Sequence, residues 1–319
     1  MKRLRLHIVT SLIVFLGFSI VSYANNIVVS SISLTGRNTS TQSVRVQFNL
    51  SWDNSWRTTS APFNWDAAWV FVKYKIGTTG DWKHATLATS GHTIPSIAST
   101  TQNDAAGLFI YSSTSTTSPG TFNPTAIQLI WNYGSDGVSS DAKITVRVYA
   151  MEMVYHPPGG FQVGSGAINN GEFRRANDVT ASAPASTFTI TGTNPTLQGN
   201  SSAASPTNLG AYNNTSTDLT GTGTASLATG FPTGFNSFYA MKYEISQQQY
   251  VDFLNTLTYT QQAARTIAAS PPNSAAGTPA LSSGNANRNG IDIQTSGTAS
   301  TVPAVYACNL DGDAIYNEA

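Results

Sequence analysis

The stretch Ser43-Val-Arg-Val-Gln-Phe-Asn-Leu-Ser-Trp52 decides the fold class. Val44, Val46, Phe48, Leu50 and Trp52 alternate with Arg45, Gln47, Asn49 and Ser51, and a side-chain period of two puts each set on its own face of a half-buried strand. Similar short apolar runs surround it: IVVSSISL (27–34), AAWVFVKYKI (67–76), GLFIYSS (107–113), AIQLIW (126–131) and KITVRVYAMEM (143–153). Turn-forming pieces such as GTTGD (77–81) and NYGSDG (132–137) separate them, the spacing of antiparallel strands folded into two layers. Residues 25–150 are therefore expected to form one antiparallel β-sandwich domain.

Outward from that domain, the amino terminus has a different character. Residues 1–24 run from a basic start through HIVTSLIVFLGFSIV to Ser22-Tyr23-Ala24, which is the order and length of a secretory signal peptide. The apolar stretch is shorter than the roughly 20 residues of a membrane-spanning helix, and no later run is longer. The expected location is secreted, periplasmic or cell-surface, with no integral span. Only 10% of the 319 residues are charged, 16 basic against 16 acidic. Lys2, Arg3 and Arg5 fall in the leader, so the remainder is slightly acidic, which excludes a nucleic-acid partner dependent on clustered Lys and Arg. Cys308 is the single cysteine. No intramolecular disulfide can form, a pattern suited to bacterial export, and the thiol is expected to be buried as a small apolar group.

All six tryptophans lie before residue 150. Trp52 and Trp69 are read as core. Trp56 and Trp65, with Asp66 beside them, flank the loop DNSWRTTSAPFNWD (53–66) and are the candidate ligand residues. An aromatic face packs on the apolar side of a sugar ring while a carboxylate bonds its hydroxyls, and packing of the same rings into the loop or core stands beside that reading. From Asn177 to Tyr239 the chain is small and polar, with only Asp178 and Asp218 charged. That composition fits either irregular and short β structure, with FTIT (188–191) as one strand, or partial disorder.

In ISQQQYVDFLNTL (245–257), Ser246 and Gln249 have the spacing of a capping box. Tyr250, Phe253, Leu254 and Leu257 then form an apolar stripe opposite Gln248, Asp252 and Asn255. Prolines 271, 272, 279 and 303 argue against long regular elements beyond it. His84, His92 and His156 are far apart in sequence and suggest no zinc site. GTGTASLATG (221–230) lacks the lysine of a phosphate loop, and Ser165 in GFQVGSG is not followed by a helix pattern, as a nucleophile elbow requires. The tail NLDGDAIYNEA places Asn309, Asp311 and Asp313 at alternating positions. Oxygen ligands so spaced can wrap a calcium ion, and a solvated turn is the competing reading. No catalytic constellation emerges.

Two segments, MEMVYHPPGGFQVGSG (151–166) and FPTGFNSFYAMKYEISQQQYVDFLNTLT (231–258), together resemble the opening of the sulfatase-modifying-factor, or formylglycine-generating-enzyme-like, domain. Met153, Val154, Pro157, Gly159, Phe161 and Gly164 match its first strand and turn. Lys242, Glu244, Ile245, Ser246, Tyr250 and Phe253 match its Lys-x-Glu-Val-Thr element and first helix. The resemblance implies a mixed α+β, C-type-lectin-like fold with long loops over residues 151–319, in which Phe161 and Tyr250 share one interior. It also implies an oxidase of protein cysteine using copper at a cysteine pair, and calcium, in a region carboxy-terminal to the matched part. That region and its Arg-Leu-Pro-Thr-Glu-like block have no counterpart before Ala319, so a fragment without catalytic residues is expected. A glycan- or surface-ligand-binding module and a structural cell-envelope component are the alternative functions.

Overall fold

A computed structural model describes residues 26–116, 118–166, 172–178, 187–192, 195–198, 204–211, 224–228, 231–281 and 290–309. The leader lies outside the described residues. The first strands are β1 (Val28–Asn38), β2 (Ser43–Ser55), β3 (Trp65–Ile76), β4 (Lys83–His84), β5 (Ala98–Thr101), β6 (Leu108–Ser112), β7 (Gly120–Phe122), β8 (Ile127–Trp131) and β9 (Ile144–His156). Short strands follow: β10 (Phe161–Val163), β11 (Phe173–Arg175), β12 (Phe188–Ile190), β13 (Thr196–Gln198), β14 (Leu209–Ala211), β15 (Thr224–Ser226) and β16 (Phe238–Met241). Helices α1 (Gln247–Leu254) and α2 (Tyr259–Ala263) precede β17 (Ile291–Thr295) and β18 (Val305–Cys308). Strand outweighs helix, 44% to 5%, so the protein is β-rich.

Strand β2 has the predicted alternation along its length. Val44, Val46, Phe48, Leu50 and Trp52 are buried, while β1 pairs with one edge and β8 and β7 share the other. A second antiparallel sheet has the order β16-β9-β3-β6-β5, with β4 also on β3. Its inward residues Val70, Val72, Tyr74, Leu108, Ile110 and Val148 join those of β2 and β8 in one apolar cluster. Each such side chain removed from water contributes about 1.5–3 kcal/mol, so this shared interior is the main source of stability.

Trp69 departs from the expectation of a core residue. Asp66, Ala68, Val70, Val72 and Tyr74 turn inward, which leaves Trp69 half-buried on the outer face, tilted against Phe109 at 4.7 Å between ring centroids. The domain boundary expected at residue 150 also falls inside an element. β9 runs unbroken from Ile144 to His156 and is in register with β3 from Trp65↔Tyr155 to Ile76↔Ile144. Its other edge takes β16, which begins 82 positions after β9 ends, in register from His156↔Phe238 to Met153↔Met241.

Beyond β9 the cores are small. Phe188, Ile190 and Leu209 form one cluster, packed by Val163, Leu197 and Phe235. Val251, Leu254, Ala280, Ile291, Ile293, Ala304, Tyr306 and Cys308 form another, so the thiol is buried as expected. Helix α1 begins with the predicted capping box, the Ser246 hydroxyl accepting from the Gln249 N–H and the Gln249 side chain accepting from the Ser246 N–H. Its phase differs from the predicted stripe: Val251 and Leu254 are buried and Phe253 is 40% exposed. Asn255, expected to face water, turns its amide inward and exchanges two hydrogen bonds with the Tyr306 backbone, 2.8 and 2.9 Å, as a neighbouring strand would. Thr258 and Gln261 repeat the capping box at α2.

Candidate functional site

Asp66 lies beneath the sheet end, fully buried. It accepts from the Trp52 indole N–H (2.7 Å), the Ser55 hydroxyl (2.8 Å) and the Trp56 backbone N–H (3.1 Å). Lys242, the residue after β16, places its Nζ 3.0 Å from Asp66 Oδ2 and 3.4 Å from Glu152 Oε2, and 4.8 Å over the Trp56 ring. A buried carboxylate with this many donors is fixed in place, and Asp66 has no surface to offer a ligand. Trp56 is partly buried against the same ammonium, its indole N–H 3.5 Å from Asn64 Oδ1. The three neighbours in sequence thus take different roles: Asp66 anchors the second half of the chain, Trp56 covers the anchor, and Trp65 faces outward.

Trp65 belongs to a cross-strand aromatic ladder. One face stacks on Tyr155 at 3.9 Å with the planes 10° apart, the other on Tyr111 at 5.3 Å. Its N–H reaches the Tyr239 hydroxyl at 3.2 Å, and Tyr239 stacks on Phe109 at 3.6 Å. Burial pushes the Tyr239 phenol up to about 12, so it stays a neutral donor and acceptor. The Arg57 guanidinium sits against Trp65 and Tyr111, 5.4 and 5.1 Å from their centroids. With both ring faces covered, Trp65 cannot stack on a sugar, because stacking needs a free face. The ladder instead seals the outer side of the sheet.

A groove that sequence reasoning did not single out opens at the β9–β16 end. It lies between the loops His156–Phe161 and Phe231–Phe238 and has a volume of about 790 Å³ in its larger lobe. The Gly159 N–H donates to the Phe235 carbonyl at 2.9 Å, tying the two loops together. Phe161, Phe231 and Phe238 are 38%, 51% and 44% exposed, and His156 stacks on Phe238 at 4.7 Å. Gly234 has φ +83°, and a Cβ there would stand 3.2 Å from the Phe161 ring, so glycine keeps the groove floor open. Gly164, at the end of β10, has φ +90° and a Cβ would meet the Phe173 carbonyl at 2.0 Å. In the sequence its signal is the clustering of Phe, Gly and Pro in both segments.

The resemblance expects Phe161 and Tyr250 to share an interior, and the described clusters correct this. Tyr250 packs on the α1–β17–β18 cluster, whereas Phe161 lies in the groove against Gly234. Of the candidate metal ligands, Asn309 is 4% exposed and donates from Nδ2 to Asp292 Oδ2 at 2.7 Å; Asp311 and Asp313 lie outside the described residues. Among the described residues no group of three or more His, Cys, Asp or Glu gathers around one point. Cys308, the one cysteine of the sequence, is buried with Sγ 3.7 Å from Gln248 Oε1, so residues 1–319 hold no cysteine pair. His92 has a structural role. Its Nδ1 accepts from the Ile130 N–H at 3.0 Å and its Nε2 lies 3.1 Å from Gln102 Oε1, and burial lowers its pKa.

Among the described residues no helix is long and apolar enough to cross a membrane. No protein-family model, no curated protein and no solved structure matches this chain.

Proposed function

We propose that this is an exported bacterial protein in which an amino-terminal β-sandwich carries the opening part of a formylglycine-generating-enzyme-like domain of C-type-lectin-like fold. The observation that supports the reading is the β9–β16 ladder, Met153↔Met241 to His156↔Phe238. It sets the two segments on which the resemblance rests side by side, at the edge of the sheet that β9 shares with β3. The Lys-x-Glu element has a physical task here, since Lys242 neutralises Asp66 and Glu152 at the end of that ladder. The interior common to β2, β3, β6 and β8 supports the sandwich. Sequencing the gene beyond the codon for Ala319 tests the family reading: an Arg-Leu-Pro-Thr-Glu-like segment is expected within the same frame, and an open frame without one removes it.

A second reading, a glycan-binding module, is favoured by the groove. Exposed phenylalanine rings stand there beside the exposed amide of Asn236 and hydroxyl of Ser237, the mixture of ring faces and neutral polar groups that suits an uncharged sugar. Affinity electrophoresis against neutral polysaccharides is expected to retard the protein. Phe231→Ala should weaken retention about tenfold, the cost of one aromatic contact of roughly 1.5 kcal/mol, while Trp56→Phe leaves it unchanged. Unretarded migration on every polysaccharide, or equal retention of Phe231→Ala, counts against this function.

A further inference from the structure

Strands β3, β9 and β16 lie side by side in the second sheet, and their register brings three ionisable side chains to one inward point. Asp66 on β3 is opposite Val154, and Glu152 on β9 is opposite Ala68. Lys242 continues β16 by one residue, its N–H bonded to the Glu152 carbonyl at 3.0 Å. The middle strand thus carries the glutamate, and the aspartate and the lysine reach across it from either side. All three side chains are withdrawn from water, 0%, 7% and 9% exposed for Asp66, Glu152 and Lys242. The Lys242 Nζ stands 3.0 Å from Asp66 Oδ2 and 3.4 Å from Glu152 Oε2. The two Asp66 oxygens are held differently. Oδ1 accepts from the Ser55 hydroxyl and the Trp56 N–H, and Oδ2 accepts from the Trp52 indole N–H beside the ammonium.

We propose that this cluster closes an intramolecular isopeptide bond between Lys242 Nζ and Asp66 Cγ, with Glu152 as the proton carrier. A proton passing from Nζ to Oδ2 turns ammonium and carboxylate into amine and carboxylic acid, in an interior where the charged pair has lost its hydration. The Nζ lone pair then adds to Cγ, as an amine nucleophile does. The negative charge that develops on Oδ1 falls on the two donors already aimed at it, the arrangement of an oxyanion hole. Glu152 takes a second proton from Nζ and passes it to Oδ2, the Cγ–Oδ2 bond breaks, and water leaves. Ammonium and carboxylate have become an amide and one water, with Glu152 unchanged and no oxidant or cofactor consumed. Rigid juxtaposition of amine and carboxyl supplies the advantage that a free pair in solution lacks, and the buried site excludes the water that would reverse the step. The bond spans 176 positions of the chain, a covalent tie that a sequence with one cysteine cannot obtain from a disulfide. The energetics of the ion network describe the chain before closure, and the link adds to them.

Mass spectrometry of tryptic peptides from the folded, then denatured, full chain tests this. With the bond closed, trypsin cannot cut after Lys242, and residues 58–73 and 176–265 are expected as one branched peptide, lighter than the two together by about 18 Da, one water. Lys242→Arg keeps a cation between the carboxylates but offers no amine nucleophile. Glu152→Gln keeps both partners of the bond and removes the proton carrier. Both variants are expected to release residues 58–73 as a free peptide and to be cut after position 242. A wild type that releases residues 58–73 unlinked overturns the proposal, whether or not the variants fold, since an ion network alone leaves the mass unchanged. A Glu152→Gln chain linked as fully as the wild type overturns the role given to Glu152, and a Lys242→Arg chain that still yields the branched peptide overturns the lysine as nucleophile.

Discussion

Lys242→Met is expected to lower the unfolding free energy by about 3–5 kcal/mol, the usual loss when one partner of a buried ion network is removed. The lysine side chain is only 9% exposed and lies between two carboxylates, Asp66 and Glu152, that are themselves 0% and 7% exposed. Methionine fills a similar volume, so the loss is electrostatic rather than a cavity effect. Urea denaturation followed by tryptophan emission measures it directly, because Trp56 lies against the ammonium and Trp52 bonds Asp66. Adding Glu152→Gln to Lys242→Met should recover part of the loss by removing one of the two stranded charges. A loss below about 1 kcal/mol would match a solvated surface pair and contradict the burial.

Gln262→Leu should be nearly as damaging, and more local. The side chain is fully buried. Its Nε2 donates to the carbonyls of Leu254 and Ala304 at 3.0 and 2.9 Å, and its Oε1 accepts from the Ala304 N–H at 2.8 Å. Leucine leaves the Ala304 N–H and carbonyl desolvated and unmet, while the Leu254 carbonyl keeps the Leu257 N–H at 3.1 Å. Each costs about 1–3 kcal/mol, and because the groups relax together the expected total is about 3–4 kcal/mol. Hydrogen exchange is the suitable readout: protection should fall across α1, α2 and β18 while β2, β3 and β9 keep theirs. Uniform loss throughout the chain would mean that the small α1–β17–β18 core does not open independently.

What the sequence disclosed follows from the range of the interactions. Patterns settled within a few residues were legible, namely the alternation of β2, the strand at FTIT and the Ser246–Gln249 cap. The phase of β3 was not, because Ala67-Ala68-Trp69-Val70-Phe71-Val72 is apolar on both faces and carries no polar residue to mark the outside. Its outer face is dry because aromatic rings of neighbouring strands cover it. Asn255 was placed toward water by its polarity, yet its amide serves as a strand edge. β17 and β18 had a readable alternation, Ile291 with Ile293 and Tyr306 with Cys308, which the surrounding prolines obscured. The link between Asp66 and Lys242 spans 176 positions and leaves no local mark, and for the same reason Asp66 read as a ligand residue and not as an anchor.

Strand β9 has a consequence for inheritance. With β3 along one edge and β16 along the other, it is the common property of both halves of the gene. A recombination break at codon 150 would halve this strand and strip its neighbours of their hydrogen-bonding complement. It would also separate Lys242 from Asp66, one of its two counter-charges. Exchange of modules between related genes is therefore permitted only where the donor segment brings its own central strand with it, and the two halves should pass between lineages as a single heritable block.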